Sequence, residues 1–207
     1  MRVKICGMTR VQDADLAAEL GAWAVGFIFW PGSPRCVDAP SARALANRLP
    51  ATVTRVGVFV DQPAAHVEEV ASLVGLDLVQ LHGRERPAYA RSLARPIIKA
   101  VSLEQAQAQH TLAAWADAML MIDGRDQRRP EAGGRTVDWA AAAQVAERRE
   151  IVLAGGLCPD NVAAAIRTVR PHAIDVSSGV ERAPGEKDAA LMRALFEAVA
   201  DAGRGVE

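Results

Sequence analysis

The chain has 207 residues, half of them apolar, and a formal net charge of -1 at pH 7. A chain of this length and composition can bury a sizeable core and suits one globular domain spanning residues 1–207. The near-neutral charge gives no reason to expect nucleic acid or an acidic membrane surface as a partner. No run approaches the roughly 18 apolar residues that a membrane-spanning helix needs.

The beginning of the chain and its cysteines predict a cytoplasmic protein. The segment before the first predicted helix is too short and too polar for a signal peptide. Cys6, Cys36 and Cys158 are odd in number and lack the spacing of a disulfide scaffold. Such cysteines are typical of reduced thiols inside a cell.

Short runs rich in β-branched residues recur along the whole chain and alternate with helical patterns. Alternation of this kind predicts βαβ units and a parallel sheet. Eight strand–helix pairs leave about 26 residues each, which is compact but sufficient for a closed (β/α)8 TIM barrel. An open doubly wound sheet is the structural alternative. The predicted strands are Val3–Cys6, Ala24–Trp30, Arg55–Val60, Leu78–His82, Ile97–Val101, Ala118–Asp123, Ile151–Ala154 and Ala173–Ser177.

Three of the intervening helices have sequence signals of their own. Thr9 and Gln12 have the spacing of a capping box at the start of the first helix. The third helix has an apolar stripe at positions 67, 70, 71 and 74, and Gly75 follows as a stop signal. The last helix is predicted over about Lys187–Ala202, with Leu191, Leu195 and Val199 on one face and Met192 and Phe196 beside them.

Polar residues alternate with apolar ones in the first, fourth and eighth predicted strands. Because strand side chains alternate between two faces, the apolar set should face the helices and the polar set the barrel interior. Strands one and eight are neighbours in a closed barrel, so Lys4 and Asp175 are expected to form a buried ion pair. The inward set is Lys4 and Cys6, Gln80 and His82, and Asp175 and Ser177.

Three of the strand-end residues are candidates for the chemistry, because active sites of these barrels lie at the carboxyl ends of the strands. Cys6 lies two residues from Lys4 on the same face, and a nearby cation lowers the pKa of a thiol. Asp123 ends an apolar run at the mouth, and His82 is a strand-end histidine. Each also has a structural reading: a buried small side chain, a loop cap and a hydrogen-bonded wall residue. Asp126 is a weaker alternative to Asp123, because it lies further out in the loop.

Two glycine-containing loops follow the seventh and eighth strands. They include Gly155 and Gly156 after strand seven, and Ser178 and Gly179 after strand eight. Glycine lets backbone N–H groups approach an anion closely, and barrels commonly bind phosphate in these two loops. The pair of loops therefore predicts a phosphate site.

Two further features belong to the predicted mouth. Arg35 follows the second strand, and its planar fork can hold a carboxylate, although an unpaired surface arginine would have the same sequence context. The segment Gly124–Thr136 contains four arginines and no apolar run beyond a lone alanine. It is a candidate lid over the mouth, or an ordinary surface loop.

Taken together, these motifs resemble the phosphoribosylanthranilate isomerase family of tryptophan biosynthesis, over essentially the whole chain. The resemblance implies a TIM barrel of the ribulose-phosphate-binding type. It rests on Val3–Thr9, Val25–Phe29, Arg55–Val60, Val79–Gly83, Leu153–Leu157 and Asp175–Glu181.

The resemblance also implies a reaction and the residues that perform it. The reaction is an Amadori rearrangement of N-(5-phosphoribosyl)anthranilate, with Asp123 as general acid and Cys6 as general base. Arg35 matches the position that pairs with the anthranilate carboxylate, and His82 and Asp175 are expected to contact the substrate. Gly155, Gly156, Ser178 and Gly179 match the phosphate site.

The same family implies no metal and no redox cofactor, and a small-molecule substrate for a chain that is expected to be a monomer, with a homodimer left open. Two alternatives remain open from the sequence. One is the histidine-pathway isomerase, which performs the same rearrangement on an aminoimidazole ribotide, or a barrel that serves both pathways. The other is a non-catalytic phosphosugar sensor, which would not need Cys6 and Asp123 together.

Overall fold

The computed structural model describes residues 1–124 and 137–204. Within them, eight parallel strands form a closed barrel in the order of the sequence, and β1 pairs with both β2 and β8. The predicted barrel is confirmed, and the open sheet is excluded. The strands are β1 (Arg2–Cys6), β2 (Ala24–Ile28), β3 (Thr54–Phe59), β4 (Leu78–Leu81), β5 (Ile97–Val101), β6 (Met119–Ile122), β7 (Ile151–Leu153) and β8 (Ala173–Val176).

Helices fill the connections between the strands. None of the helices in the described ranges is both long enough and apolar enough to cross a membrane. Organisation as one domain over residues 1–207 stays a prediction, because residues 125–136 and 205–207 lie outside the description. The helices are α1 (Val11–Glu19), α2 (Ala39–Ala46), α3 (Ala64–Val74), α4 (Pro87–Ala90), α5 (Leu103–Gln107), α6 (Gln109–Ala114), α7 (Trp139–Ala146), α8 (Pro159–Val169) and α9 (Ala189–Arg204).

Helix α3 matches its predicted pattern. Its buried residues are those of the predicted apolar stripe. The helix ends at Gly75, whose φ of +74° is the left-handed conformation that glycine adopts without steric cost.

The predicted capping box of the first helix is wrong. Helix α1 begins at Val11, with Arg10 at its N-cap. The hydroxyl of Thr9 donates to the carbonyl of Gly185, so Thr9 binds a distant loop instead of capping its own helix. A long-range partner has displaced the local one, which the Thr–Gln spacing could not reveal.

The predicted last helix is wrong in its first turn and in part of its buried face. Residues Glu181–Ala183 (β9) and Glu186–Lys187 (β10) form an antiparallel hairpin, and α9 begins at Ala189. Asp188 accepts the backbone N–H of Ala190 and so fixes this start. Leu191, predicted to face inward, is 38% exposed. The buried residues of α9 are Met192, Leu195, Val199 and Ala202.

The apolar core has two layers, as the alternation along the strands predicts. The outer layer packs the helices against the outward strand residues, including Val3, Ile5, Val79, Leu81 and Ile174. The inner layer fills the barrel with mostly small residues, because eight strands leave little interior space. Its members are Ala24, Val56, Ile98, Ala100, Met121, Val152, Ala154 and Ala173.

All three lysines of the chain are buried: Lys4, Lys99 and Lys187. Lys99 Nζ lies 2.8 Å from Glu85 Oε2 and donates to the carbonyls of Leu81 (3.3 Å) and Gly83 (2.6 Å). Burial lowers the pKa of the Lys99 ammonium, against the opposing effect of Glu85. This cluster ties β5 to the loop that follows β4 at the mouth of the barrel.

Replacing Glu85 with alanine should therefore destabilise the fold strongly. The change leaves the Lys99 ammonium buried without its carboxylate, which is expected to lower the free energy of unfolding by about 3–5 kcal/mol. Urea unfolding with linear extrapolation measures it. The exposed Glu69 of α3 provides a control, because Glu69→Ala should change the value by no more than about 0.5 kcal/mol. Equal effects of the two substitutions would contradict the role given to Glu85.

Candidate active site

One cavity of about 270 Å³ opens at the carboxyl ends of the barrel strands. All nine residues that the sequence analysis selected line it, although they come from six different strand–loop units of the chain. Their roles stay predictions, but the structure brings them together at one mouth. They are Cys6, Arg35, His82, Asp123, Gly155, Gly156, Asp175, Ser178 and Gly179.

Cys6 and Lys4 lie side by side at the closing seam of the barrel. Lys4 Nζ donates to Asp175 Oδ1 at 2.8 Å, and the Lys4 side chain is completely buried, so the predicted ion pair is confirmed. A Cβ atom at Gly26 of β2 would lie 2.7 Å from Cys6 Sγ and 3.1 Å from Lys4 Nζ. Glycine at this position makes room for both side-chain atoms.

Lys4 lowers the pKa of the Cys6 thiol, as its position in the sequence predicted, but it does not decide the net shift. Burial raises the pKa of the Cys6 thiol above its ordinary value, and the charge of Asp175 adds to this; Lys4 opposes both and does not reverse them. Burial would lower the pKa of the Lys4 ammonium, but Asp175 and Cys6 raise it overall. The proximity of a cation was visible in the sequence, whereas the burial of the thiol was not.

Asp123 and His82 contact each other at the wall of the cavity. His82 Nε2 lies 3.3 Å from Asp123 Oδ2, and the other ring nitrogen, Nδ1, lies 3.0 Å from Nε2 of Gln80. Asp123 is 8% exposed, so its carboxyl group is largely shielded from solvent but reaches the cavity. The strand-end positions of Asp123 and His82 therefore place the two side chains in direct contact.

Arg35 is held by a carboxylate that the sequence analysis did not select. Its Nε lies 2.9 Å from Glu181 Oε1, and its Nη2 lies 2.6 Å from Glu181 Oε2. Lys187 Nζ binds the same Oε1 at 2.7 Å and donates to the backbone carbonyl of Cys6 at 2.6 Å. Burial would raise the pKa of the Glu181 carboxyl, but Arg35 and Lys187 together hold it below its ordinary value.

This cluster has an unbalanced charge beside the cavity. Arg35 and Lys187 are two cations that share one carboxylate, Glu181, which leaves one net positive charge. Burial lowers the pKa of the Lys187 ammonium and Glu181 opposes that shift. Arg35 Nη1 makes no hydrogen bond with the residues that the structure describes. One edge of the guanidinium is thus fixed by Glu181, and the other suits an anionic group of a ligand.

The two predicted phosphate loops touch each other. Gly155 and Gly156 have φ values of +94° and +65°, which glycine adopts readily. The backbone of Gly179 packs so closely on the carbonyl oxygen of Leu157 that a Cβ atom at residue 179 would overlap it. Helix α8 begins beside the first loop, where Asn161 Nδ2 donates to the Gly156 carbonyl at 2.8 Å. Backbone N–H groups and a helix N-terminus therefore converge on one side of the mouth.

Four residues of the site were missed from the sequence. Gly26 and Trp30 lie in or after β2, and Glu181 and Lys187 lie in the hairpin that was taken as loop and helix. Trp30 lines the cavity, and its ring packs on Gly32. Only the Asp175–Glu181 motif gave a signal for Glu181, and nothing local distinguished Lys187 from a surface lysine.

The remaining predictions concern the candidate lid, Asp126, a metal site and the cysteines. The candidate lid, apart from Gly124, and Asp126 lie outside the described residues. Among residues 1–124 and 137–204, no three His, Cys, Asp or Glu side chains are grouped to hold a metal ion. The three cysteines are free, with Cys6 buried and Cys36 exposed; the cytoplasmic location inferred from them stays a prediction.

The architecture and the mouth define a class of protein. A closed parallel (β/α)8 barrel with ionisable side chains at the strand ends is the architecture of a TIM-barrel enzyme, and glycine loops after β7 and β8 are a common phosphate site of such enzymes.

Comparison with known proteins identifies the family. The family model described as N-(5'phosphoribosyl)anthranilate (PRA) isomerase matches residues 3–198. The N-(5'-phosphoribosyl)anthranilate isomerase of Syntrophus aciditrophicus is 46% identical over 198 residues, covering 95% of this chain and 86% of the relative. The chain belongs to the N-(5'-phosphoribosyl)anthranilate isomerase family, which acts in tryptophan biosynthesis. The resemblance inferred from the sequence motifs is confirmed, and neither alternative is favoured.

Solved structures agree with this assignment. Phosphoribosyl anthranilate isomerase from Thermotoga maritima superposes with a TM-score of 0.90 at 40% identity, covering 97% of this chain and 99% of that one. A second structure of the Thermotoga isomerase, of monomers generated from the dimeric protein, gives a TM-score of 0.86 at 37% identity with the same coverage. An isomerase in complex with reduced 1-(o-carboxyphenylamino)-1-deoxyribulose 5-phosphate superposes with a TM-score of 0.86 at 39% identity, again covering 97% of this chain and 99% of that one.

The contact between the phosphate loops makes Gly179→Ala a direct test of their geometry. Because the added methyl group must displace the Leu157 carbonyl, KM for a phosphorylated substrate should rise at least about tenfold, equivalent to about 1.4 kcal/mol of binding. Gly203→Ala is the matched control, since a Cβ atom there meets nothing within 4 Å. Steady-state kinetics of both variants measures the effect, and an unchanged KM in Gly179→Ala would argue against phosphate binding at these loops.

Proposed function

We propose that this chain converts N-(5-phosphoribosyl)anthranilate to 1-(2-carboxyphenylamino)-1-deoxyribulose 5-phosphate by general acid–base catalysis, with Asp123 as the acid and Cys6 as the base. One observation carries the proposal. Cys6 and Asp123 line the same cavity, which has glycine loops on one side and the Arg35 cluster on another. The substrate has a phosphate at one end and a carboxylate at the other.

The first step opens the ribose ring. The Asp123 carboxyl group donates a proton to the furanose oxygen, the C1′–O bond breaks, and the nitrogen lone pair forms the C=N bond of a protonated Schiff base. Asp123 is suited to this step because it lies at the mouth in a largely buried position, where proton transfer does not compete with bulk water.

The second step moves the double bond. The Cys6 thiolate takes the C2′ proton, and the electrons of that C–H bond form C1′=C2′ and neutralise the iminium nitrogen. The resulting enol becomes the ketone when its hydroxyl loses a proton and C1′ gains one, so the reaction is an isomerisation with no net loss of atoms. The buried thiol has a raised pKa, which makes its thiolate a strong base once it forms.

The binding groups would hold the two ends of the substrate. The N–H groups of the loops at Gly155–Gly156 and Ser178–Gly179 would receive the phosphate, and the outer edge of Arg35 would pair with the anthranilate carboxylate. Asp175, held by Lys4, also lines the cavity. The apolar part of the wall suits an aromatic ring and includes Ile28, Trp30, Val58, Val60 and Pro184.

The deciding assay follows the fluorescence of phosphoribosylanthranilate generated in situ from anthranilate and phosphoribosyl pyrophosphate by a separate transferase. Added without metal or nucleotide, the protein should remove the signal catalytically, faster than spontaneous hydrolysis, and yield the rearranged ketose. A folded protein that leaves the signal unchanged would contradict the proposal. Turnover of the aminoimidazole ribotide alone would then support the histidine-pathway alternative.

Substitution of the acid and of the base should each remove most turnover in this assay. Cys6→Ser and Asp123→Asn are expected to lower kcat by about 10²–10⁴-fold, the usual contribution of a positioned acid or base. Neither change alters side-chain size much, so urea unfolding should show a folded protein. The exposed Cys36 and Asp117 supply the controls Cys36→Ser and Asp117→Asn, which should keep full activity. Comparable turnover in either active-site variant would refute its assigned role.

Removal of the guanidinium should weaken binding more than it slows the chemistry. Arg35→Met is expected to raise KM by about 10–100-fold, because a charged hydrogen bond is worth about 1.5–3 kcal/mol, while kcat changes less than about threefold. Arg43→Met, at an exposed position of α2, should leave both constants unchanged. A fall in kcat at constant KM would show that Arg35 acts on the reacting atoms instead.

The proposed oligomeric state and location each rest on a single observation. The residues proposed for catalysis and binding all belong to one chain, which supports an active monomer. The Thermotoga maritima isomerase is described as dimeric, and a homodimer remains the alternative. A cytoplasmic location agrees with the three free thiols.

A further inference from the structure

A line of polar side chains crosses the barrel interior from β4 to Asp123. Gln80 and His82 point inward two residues apart, and Met121 and Asp123 do the same from β6. The intervening strand, β5, presents the small Ala100 to the interior, which lets the two pairs meet. Gln80 Nε2 lies 3.6 Å from Met121 Sδ and 3.0 Å from His82 Nδ1, and His82 Nε2 lies 3.3 Å from Asp123 Oδ2.

The chemistry of these contacts selects one form of the His82 ring. Once Asp123 has given up its proton, its carboxylate only accepts hydrogen bonds, so the ring nitrogen that faces it must then carry a proton. In a neutral imidazole the other nitrogen, Nδ1, is then an acceptor, and the amide group of Gln80 must present its nitrogen as the donor. The second requirement agrees with the structure, in which Nε2 of Gln80 faces Nδ1 of His82.

The arrangement leaves one polar atom of Gln80 without a partner. Gln80 is 1% exposed, and its Oε1 accepts no hydrogen bond from the residues that the structure describes. A buried amide normally satisfies its oxygen, and rotation of the amide would place Oε1 against Nδ1. That rotation would require a proton on Nδ1 and would remove the neutral donor from Asp123. The uncompensated oxygen is therefore the consequence of directing the amide N–H at the ring.

A second set of contacts fixes the backbone on both sides of His82. The ammonium group of Lys99 binds the carbonyl oxygens of Leu81 and Gly83, the residues before and after His82. Glu85 completes this group, because it binds both Lys99 and the N–H of Gly83. The ring is thus held from its backbone as well as from Nδ1.

We propose that Gln80 and His82 are positioning residues for the acid: Gln80 keeps His82 as the neutral Nε2–H tautomer, and His82 donates to Oδ2 of Asp123. The donor orients the carboxyl group, and it stabilises the carboxylate that remains when Asp123 has given its proton to the ring oxygen. This role rests on the proposed function, since it assigns to Asp123 the part of the acid. It differs from direct contact of His82 with the substrate, which the sequence motifs predicted.

Two substitutions of His82 distinguish its role as a hydrogen-bond donor from its role in filling space. Glutamine places an amide N–H near the position of Nε2, whereas phenylalanine fills the space without a donor. His82→Gln should keep kcat within about tenfold of the parent, and His82→Phe should lower kcat at least about a hundredfold, with KM within about threefold in both. Urea unfolding of the two variants shows whether each is folded.

Three outcomes of this experiment would overturn the proposal. Equal loss of kcat in folded His82→Gln and His82→Phe would mean that the ring itself must exchange a proton. Unchanged kcat in His82→Phe would mean that Asp123 needs no donor. A rise in KM with constant kcat in both variants would mean that His82 binds substrate.

A spectroscopic measurement tests the tautomer without reference to activity. In ¹⁵N-labelled protein at neutral pH, long-range ring correlations distinguish a protonated nitrogen from an unprotonated one, and the His82→Gln spectrum identifies the His82 signals by their loss. We expect a protonated Nε2 and an unprotonated Nδ1 in the parent. In Gln80→Glu, which replaces the amide donor by an acceptor, both nitrogens should be protonated.

The spectra also separate this inference from the proposed function. A parent ring protonated on Nδ1, or a Gln80→Glu ring identical to the parent, would overturn the role of Gln80 even if the enzyme isomerises its substrate. If the spectra are as expected but the protein does not turn over the substrate in the fluorescence assay, the proposed reaction is wrong. The proposed hydrogen bonds from Gln80 through His82 to Asp123 would then still stand.

Discussion

The pairing of β1 with β8 is the constraint on which the rest of the molecule depends. It closes the barrel, and its register sets Lys4 opposite Asp175, the two residues whose side chains form the ion pair. The same pairing brings Cys6 next to the loop that follows β8. Without closure, the thiol and the phosphate loops would lie at opposite edges of an open sheet. Closure of the barrel therefore places the proposed base beside the proposed phosphate loops.

Buried charges around the mouth are paired in the same way. Each of the three lysines is buried with a carboxylate partner: Lys4 with Asp175, Lys99 with Glu85 and Lys187 with Glu181. Lys99 and Lys187 also bind backbone carbonyls at strand ends. Buried pairs of this kind contribute little net stability compared with apolar packing, but they hold geometry firmly. The protein thus places its costly polar contacts where the positions of reactive atoms matter most.

Local patterns predicted the barrel and the inward direction of its polar residues, because strand alternation and the order of elements are properties of the sequence itself. Cys6, His82 and Asp123 could be selected since each ends a strand at the same face. The hairpin of β9 and β10 could not, because four of its residues are charged and its partners, Thr9 and Arg35, are far away in sequence. The capping of α1 failed for the same reason. The net pKa shift of Cys6 required the extent of its burial, which three-dimensional packing alone reveals.

The burial of every lysine has a consequence for the chemistry of the outer surface. The cations that face solvent are guanidinium groups, which do not react with acylating reagents at neutral pH as amines do. A reagent that acylates lysine side chains would therefore leave Lys4, Lys99 and Lys187 unmodified in the folded protein and would reach them only as the chain unfolds. The extent of acylation would thus report how much of the protein is unfolded.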